Sequence, residues 1–166
     1  ITTTLLQLAK AYSIIVNGGY NIQPKLILSY KKNKKEKILN DEVSKKILPI
    51  LRKIVTTKEG TATLANIDGY EIGGKTGTAQ KSIAGIYSNK KINSFVAVFP
   101  ISKPKFVLAV MLDEPKTNQD YIYHYKDGSN IKYKGTPFNT AGWTTVEATG
   151  QIVEKIGPIL ATKYNE

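Results

Sequence analysis

Cysteine is absent, arginine occurs once, at Arg52, among twenty-four basic residues, and His124 is the single histidine. The first absence excludes disulfides, thiolate catalysis and sulfur-ligated metals. With one histidine, a His-rich metal site cannot be built, and a Ser-His-Asp triad would have to rest on His124 in a polar stretch. His124 is therefore not expected to be catalytic, and neither a metal nor a cofactor is expected. The scarcity of arginine bears on charge. A net charge of +11 invites a nucleic-acid reading, since clustered cations release counterions from phosphate. Arginine, however, supplies the commonest bidentate base contacts and much of phosphate-fork recognition. The lysines are also dispersed, apart from Lys31-Lys32-Asn33-Lys34-Lys35, which reads as a solvated loop tip. No nucleic-acid partner is expected. Long apolar runs are missing too: Phe106 to Leu112 falls far short of the ~20 residues of a membrane helix. Ile1-Thr2-Thr3-Thr4 has neither an initiating Met nor the basic and apolar regions of a signal peptide, so the sequence is expected to begin inside a longer one. At 166 residues, it makes one domain at most.

Periodicity supplies the elements. Leu5, Leu8, Ala9, Tyr12, Ile15 and Val16 recur at helical spacing, with threonines before them and Asn17-Gly18-Gly19 as a stop. Pro24 to Tyr30 and Glu36 to Leu39 read as the strands of a hairpin joined by the lysine tip. Asn40 or Asp41 caps a second helix with Val43, Ile47, Ile50, Leu51 and Ile54 on one face, and Pro49 is expected to bend or interrupt it. Tyr70 to Gln80 is a glycine-rich strand, of the kind that something else approaches closely. After a polar loop from Lys81 to Asn93 come the strands Phe95 to Phe99 and Lys105 to Leu112, joined by a turn so short that they must be antiparallel. Tyr121, Tyr123 and Tyr125, then Asp127-Gly128 and Ile131, suggest another hairpin, and Val146 to Leu160 a C-terminal helix with Pro158 near its end.

Two literal motifs overlap at Lys75. Gly69, Gly74, Lys75 and Thr76 satisfy the phosphate-loop pattern G-x-x-x-x-G-K-[ST], and Asp113-Glu114 at the end of an apolar run looks like a metal-holding strand end. That would suggest a nucleotide hydrolase. Such a loop needs a buried strand before its first glycine and a helix starting at the lysine. Neither flank fits: Ala62 to Asp68 is not an apolar strand, and Gly77 and Gly85 weaken a helix after Lys75. The second motif is Lys75-Thr76-Gly77 on a strand, the third element of serine acyl-transferases.

Around this motif lie Thr4 to Tyr12, Asn17-Gly18-Gly19, Gly60-Thr61-Ala62, Gly69-Tyr70, Gly73 to Lys81, Asp113-Glu114-Pro115 and Thr140 to Trp143. Each resembles the matching stretch of class B penicillin-binding proteins, in that family's order, and the last resembles the division-type transpeptidases most. The resemblance covers nearly the whole chain. It implies that residues 1–166 are the C-terminal part of a single transpeptidase domain, with the N-terminal part and its nucleophile absent. The implied fold is α/β (α+β), an incomplete version of the fold of penicillin-binding proteins and serine β-lactamases. Its antiparallel sheet would comprise the Lys75 strand and the two strands after it, packed by the first and last helices.

The implied activity is serine D,D-transpeptidation of peptidoglycan stem peptides ending in D-Ala-D-Ala, inhibited by β-lactams. By this resemblance Lys75 maintains positive charge at the centre, the Thr76 and Thr78 hydroxyls contact the substrate carboxylate, and the Thr78 N–H supplies half of an oxyanion hole. Gly77 leaves room for the bound acyl group, and Gln80, on the same face as Thr78, reaches the acyl donor. Cell-division or elongation membrane proteins are the implied partners, and the periplasmic face of the inner membrane the implied location, through an anchor outside this chain.

The family also needs a nucleophilic serine with a lysine three residues on, where one helical turn brings amine to hydroxyl. Ser29, Ser88, Ser102 and Ser129 satisfy S-x-x-K, but none opens an expected helix, and so many lysines make chance matches normal. Tyr87-Ser88-Asn89 fits a second family motif but follows Lys75, against the family's order. All five matches are rejected. Thr117 to Gly135 is longer than the family's usual connection; it is expected to pack on the domain as an aromatic-faced hairpin rather than to stack on RNA. The remaining alternatives are a phosphate-loop hydrolase and a non-catalytic basic binding domain.

Overall fold

A computed structural model describes residues 3–27, 36–124, 130–132 and 138–164. Helix α1, Leu5–Val16, starts in a capping box: Gln7 N donates to Thr4 Oγ1 at 3.2 Å and Thr4 N to Gln7 Oε1 at 2.9 Å. It stops at Gly18 and Gly19, with φ of +88° and +87°, a backbone that L side chains rarely adopt. Strand β1, Tyr20–Asn21, follows at once and pairs antiparallel with β2, Glu36–Lys37. The hairpin's first strand is thus earlier than the expected Pro24 to Tyr30. Asn17 brackets Tyr20 with both side-chain atoms, at 2.9 and 2.8 Å, and Gly19 O accepts from Ile38 N and Leu39 N, so pairing is set before Pro24 is reached. Residues 28–30 and the lysine tip, Lys31 to Lys35, lie outside the described residues.

Helix α2, Asp41–Thr56, is capped by Asn40, whose side chain accepts from Glu42 N at 3.0 Å, with Asp41 and Glu42 in the first turn and Lys53 in the last, as the helix dipole favours. It continues as one helix through Pro49, where a bend or an interruption was expected. One lost ladder bond is outweighed by burial of Leu51 and Val55 and by Ser44, whose hydroxyl donates to Ile15 O and accepts from Gly18 N. Ile50, placed by periodicity on the buried face, is 57% exposed.

A short 3₁₀ turn, Thr63–Ala65, leads to a three-stranded antiparallel sheet ordered β3-β4-β5. Its strands are β3 (Gly73–Ile83), β4 (Ile86–Phe99) and β5 (Phe106–Asp113). The expected loop from Lys81 to Asn93 is instead the outer half of the β3–β4 hairpin, paired from Gly73↔Val98 out to Ile83↔Ile86. It closes through Ala84 and Gly85, both at positive φ (50° and 81°), the mirror-type two-residue turn that suits strand twist. Its polar sequence hid the strands because no core lies beneath them: Ile83, Ile86 and Tyr87 are exposed at the tip.

Alternation on β4 sends Phe95, Ala97 and Phe99 to one face of the sheet and Val96 and Val98 to the other. Strand β6, Tyr123–His124, pairs with β7, Asn130–Ile131, as the tyrosine pattern suggested; residues 125–129 between them lie outside the described residues. A second 3₁₀ turn, Ala141–Trp143, precedes helix α3, Thr145–Tyr164. Val146 and Val153 of α3 pack with the Phe95 face, Val55, Ala62, Ala65 and Ile72, whereas Val16 of α1 and Leu51 of α2 pack with Val98 and Ile101. Burying each Phe, Leu or Val contributes ~1.5–3 kcal/mol, so the sheet is held from both sides. The tyrosine hairpin packs on this body: Tyr123 is buried edge-on to Trp143 and donates to its carbonyl at 2.8 Å, and Tyr121 donates to Glu147. Burial and the neighbouring Glu147 carboxylate push the Tyr121 phenol up to about 12.

Candidate active site

Among the described residues β3 pairs with one strand, β4, and its other edge pairs with none. Alternation divides the motif between the two faces at that edge. Thr76 lies opposite Phe95 and Thr78 opposite Asn93, on the α3 side; Lys75 opposite Val96 and Gly77 opposite Ser94 point the other way. Gln80, opposite Lys91, follows Thr76 and Thr78 by parity and is exposed. The glycines in front of the motif are packing sites. A Cβ on Gly74 would sit 2.5 Å from Val96 O and 2.6 Å from the Phe95 ring. At Gly77 it would sit 2.6 Å from Ser94 Oγ, so the neighbour that crowds this glycine is a side chain of β4.

The Thr76 and Thr78 face borders a cleft of about 230 Å³ lined by Thr61, Thr63, Thr76, Thr78, Thr140 and Trp143, among others. Thr61 Oγ1 and Thr76 Oγ1 are 2.9 Å apart, and Ala141 N donates to Thr78 Oγ1 at 3.0 Å. Behind them stands Asn93, fully buried between Ile92 and Ser94 of β4. Its Nδ2 donates to Asn139 O at 2.7 Å and Thr144 Oγ1 at 2.8 Å, tying down the turn that delivers Ala141 N. Its Oδ1 is buried without a hydrogen-bond partner among the described residues, a cost of ~1–3 kcal/mol that such ties must offset. Sequence reasoning gave no role to Thr61, Ala141 or Asn93. The available signal was Asn93, a polar residue at the edge of an apolar run with the parity of Phe95 and Ala97.

Two lysines on β3 differ. Lys75 Nζ donates to Thr76 O at 2.8 Å and forms no ion pair among the described residues. Lys81 Nζ lies 2.9 Å from Asp113 Oδ1 and 2.8 Å from Glu114 Oε1, and Lys90 Nζ lies 3.2 Å from Glu114 Oε2. Bonds to Glu114 and then Asp113 raise the Lys81 ammonium above its usual range, and bonds from Lys81 and Lys90 hold Glu114 below the usual carboxylate range. The acidic strand end is thus committed to lysines, and no metal-holding cluster occurs among the described residues.

The phosphate-loop alternative lacks its geometry. Lys75 lies inside an antiparallel strand, and a 3₁₀ turn rather than a strand precedes Gly69. Of the S-x-x-K matches, Ser102 is bound to Glu71 in a turn and Ser88 lies in β4 with its hydroxyl on Lys81 O at 3.0 Å; Ser29 and Ser129 lie outside the described residues. Ser88, the serine of Tyr87-Ser88-Asn89, is therefore in a strand after the motif. His124 bonds Asn130 at 2.7 Å and borders a larger cavity, about 550 Å³, that includes none of the Lys-Thr-Gly residues.

Residues 1–131 match the family described as penicillin binding protein transpeptidase domain. The probable peptidoglycan D,D-transpeptidase FtsI of Caulobacter vibrioides is 29% identical over 169 residues, covering 95% of this chain and 26% of that protein. The probable peptidoglycan D,D-transpeptidase PenA of Neisseria flavescens is 33% identical over 123 residues, covering 71% of this chain and 30% of that protein. The chain thus spans about a quarter to a third of the length of these relatives. Among solved structures, the transpeptidase domain of Burkholderia pseudomallei penicillin-binding protein 3 superposes with a TM-score of 0.72 at 25% identity, covering 98% of this chain and 43% of that one. Penicillin-binding protein 3 of Mycobacterium tuberculosis gives 0.67 at 22% identity, covering 93% and 36%, and shares the fold. An antiparallel sheet between helices, an edge strand carrying Lys-Thr-Gly, and these matches along the chain agree: the chain belongs to the penicillin-binding protein transpeptidases and forms part of their transpeptidase domain.

Proposed function

We propose that this chain supplies the Lys-Thr-Gly wall of a peptidoglycan D,D-transpeptidase that works through a serine acyl-enzyme. Residues 1–166 then make up the C-terminal part of a single domain whose remainder provides the serine. In that reaction the serine oxygen attacks the penultimate D-Ala carbonyl, the peptide C–N bond breaks, and D-Ala leaves with the proton. An amine of a neighbouring strand then takes the acyl group and restores the serine hydroxyl. β-Lactams, resembling the D-Ala-D-Ala end, acylate the same serine.

The observation that carries this reading is Lys75, an ammonium with no ion pair among the described residues, on a sheet-edge strand whose Thr76 and Thr78 hydroxyls line a cleft on the other face. A terminal carboxylate is a strong acceptor for such donors, and an extended peptide can add along the free edge. Lys75 keeps the centre positive, Thr76 and Thr78 hold the carboxylate, and the Thr78 N–H faces the developing oxyanion, a donor of the kind worth ~2.7–4 kcal/mol. Gln80 contacts the acyl donor further along the same face. Gly77 keeps the strand surface low beneath the acyl group.

No helix among the described residues is long and apolar enough to cross a membrane. The proposed location, the periplasmic face of the inner membrane beside division or elongation membrane proteins, follows the family resemblance and requires an anchor that the described residues do not supply. The test is covalent labelling of the whole protein by a fluorescent penicillin. Labelling that disappears on Lys75→Ala is expected; a protein that never labels sinks the proposal. The isolated chain is expected to stay unlabelled.

A further inference from the structure

We infer that Thr61, outside the Lys-Thr-Gly strand, is a positioning residue that sets the proton direction of Thr76 and so tunes recognition of the substrate carboxylate. This rests on the function proposed above.

A backbone N–H can only donate. Because Ala141 N donates to Thr78 Oγ1 at 3.0 Å, that oxygen acts as an acceptor there and its own proton is free to point into the cleft. Thr76 has no such backbone donor among its described contacts; its hydroxyl partner is Thr61 Oγ1, at 2.9 Å, where either oxygen can donate. A carboxylate only accepts. Once it takes the Thr76 proton, the remaining bond of the pair must run from Thr61 to Thr76. The two hydroxyls then act alike, each backed by a donor and each donating outward, an arrangement in which successive bonds polarise one another. If Thr76 instead spent its proton on Thr61, it would present lone pairs to an anion.

The position of Thr61 is built rather than incidental. Gly60 N donates to Thr57 O at 3.0 Å, Ala62 N to Ile54 O at 3.1 Å, and the Ala62 side chain is fully buried, so the residue between them is fixed at both ends. On the other side, Gly142 approaches so closely that a Cβ there would lie 2.8 Å from Thr61 O. The Thr61 side chain itself belongs to an exposed residue, so replacing its hydroxyl leaves the core untouched.

The experiment compares acylation rates of the whole protein by a penicillin with a free carboxylate and by its methyl ester. Thr61→Val is expected to slow the free acid by about threefold to tenfold, the scale of one hydrogen bond, while leaving the ester rate unchanged. Thr61→Ser, which restores the donor, is expected to return the acid rate to that of the unsubstituted protein. Thr61→Ala repeats the comparison should the valine variant fail to fold. Equal slowing of acid and ester, or no slowing in a folded variant, overturns the inference alone. An unsubstituted protein that no penicillin labels overturns the function and this inference together.

Discussion

The inner and outer halves of the β3–β4 hairpin use lysine in opposite ways. Inside, from Gly73 to Thr78, the strand rests on fully buried Phe95, Ala97 and Val98, and its Lys75 forms no ion pair among the described residues. Outside, from Lys81 to Ile83, no buried side chains lie beneath the ladder, and Lys81 is held by Asp113 and Glu114. The difference separates two tasks. Where packing already fixes the backbone, a charge can be left available to a ligand; where packing is missing, charge pairs take over part of the work of fixing it.

The largest effect expected from this contrast is on chemistry. Lys75→Ala should lower penicillin acylation of the whole protein by about 100-fold or more, the scale of losing one electrostatic stabiliser, with an unchanged melting temperature. Lys81→Ala should change acylation far less. Comparable losses from both would erase the distinction. The next effect is on stability. Gly74→Ala should destabilise by ~1–3 kcal/mol in thermal or denaturant unfolding, because its methyl group would meet a carbonyl and a ring that cannot yield separately. Gly77→Ala should cost clearly less, since a serine hydroxyl can rotate away. Asn93→Leu should then separate scaffold from site. It removes the ties to Asn139 and Thr144 while relieving one unsatisfied oxygen, so a fall in acylation larger than its fall in stability is expected.

The inner half was legible in the sequence because its determinants are local. A continuous apolar run from Phe95 to Phe99, a second from Phe106 to Leu112 and a short turn between them leave little choice but antiparallel strands, and Lys75, Thr76, Gly77 and Thr78 stand together in the chain. The outer half was not. Its pairing depends on a two-residue turn at Ala84-Gly85 and on partners such as Lys81 and Asp113, thirty-two positions apart, which no periodicity announces. The same holds for Thr61 and Ala141, brought to the motif from fifteen and sixty-three positions away. Tyr20 as a strand start was missed because the side chain of Asn17, not an alternating pattern, sets its pairing.

The smallest expected effect concerns the outer half alone. Glu114 titrates below its ordinary value of 4.5 in the folded chain, so its contribution is present above that value and is lost as pH falls through the lowered one. Lys81 titrates above 10.5, so its contribution is intact below that value and is lost as pH rises through the raised one. Between these limits the network is complete. Hydrogen-exchange protection factors, which remove the intrinsic pH dependence of exchange, should therefore fall for the outer hairpin amides at acid pH. They should fall similarly at neutral pH in about 1 M salt, where exposed pairs are screened over ~3 Å. Amides from Gly73 to Thr78 should keep their protection under both conditions, because buried apolar area, not charge, holds them. Parallel loss in the two halves would mean that the hairpin opens as one unit and that the ion pairs do not bear on its outer end separately.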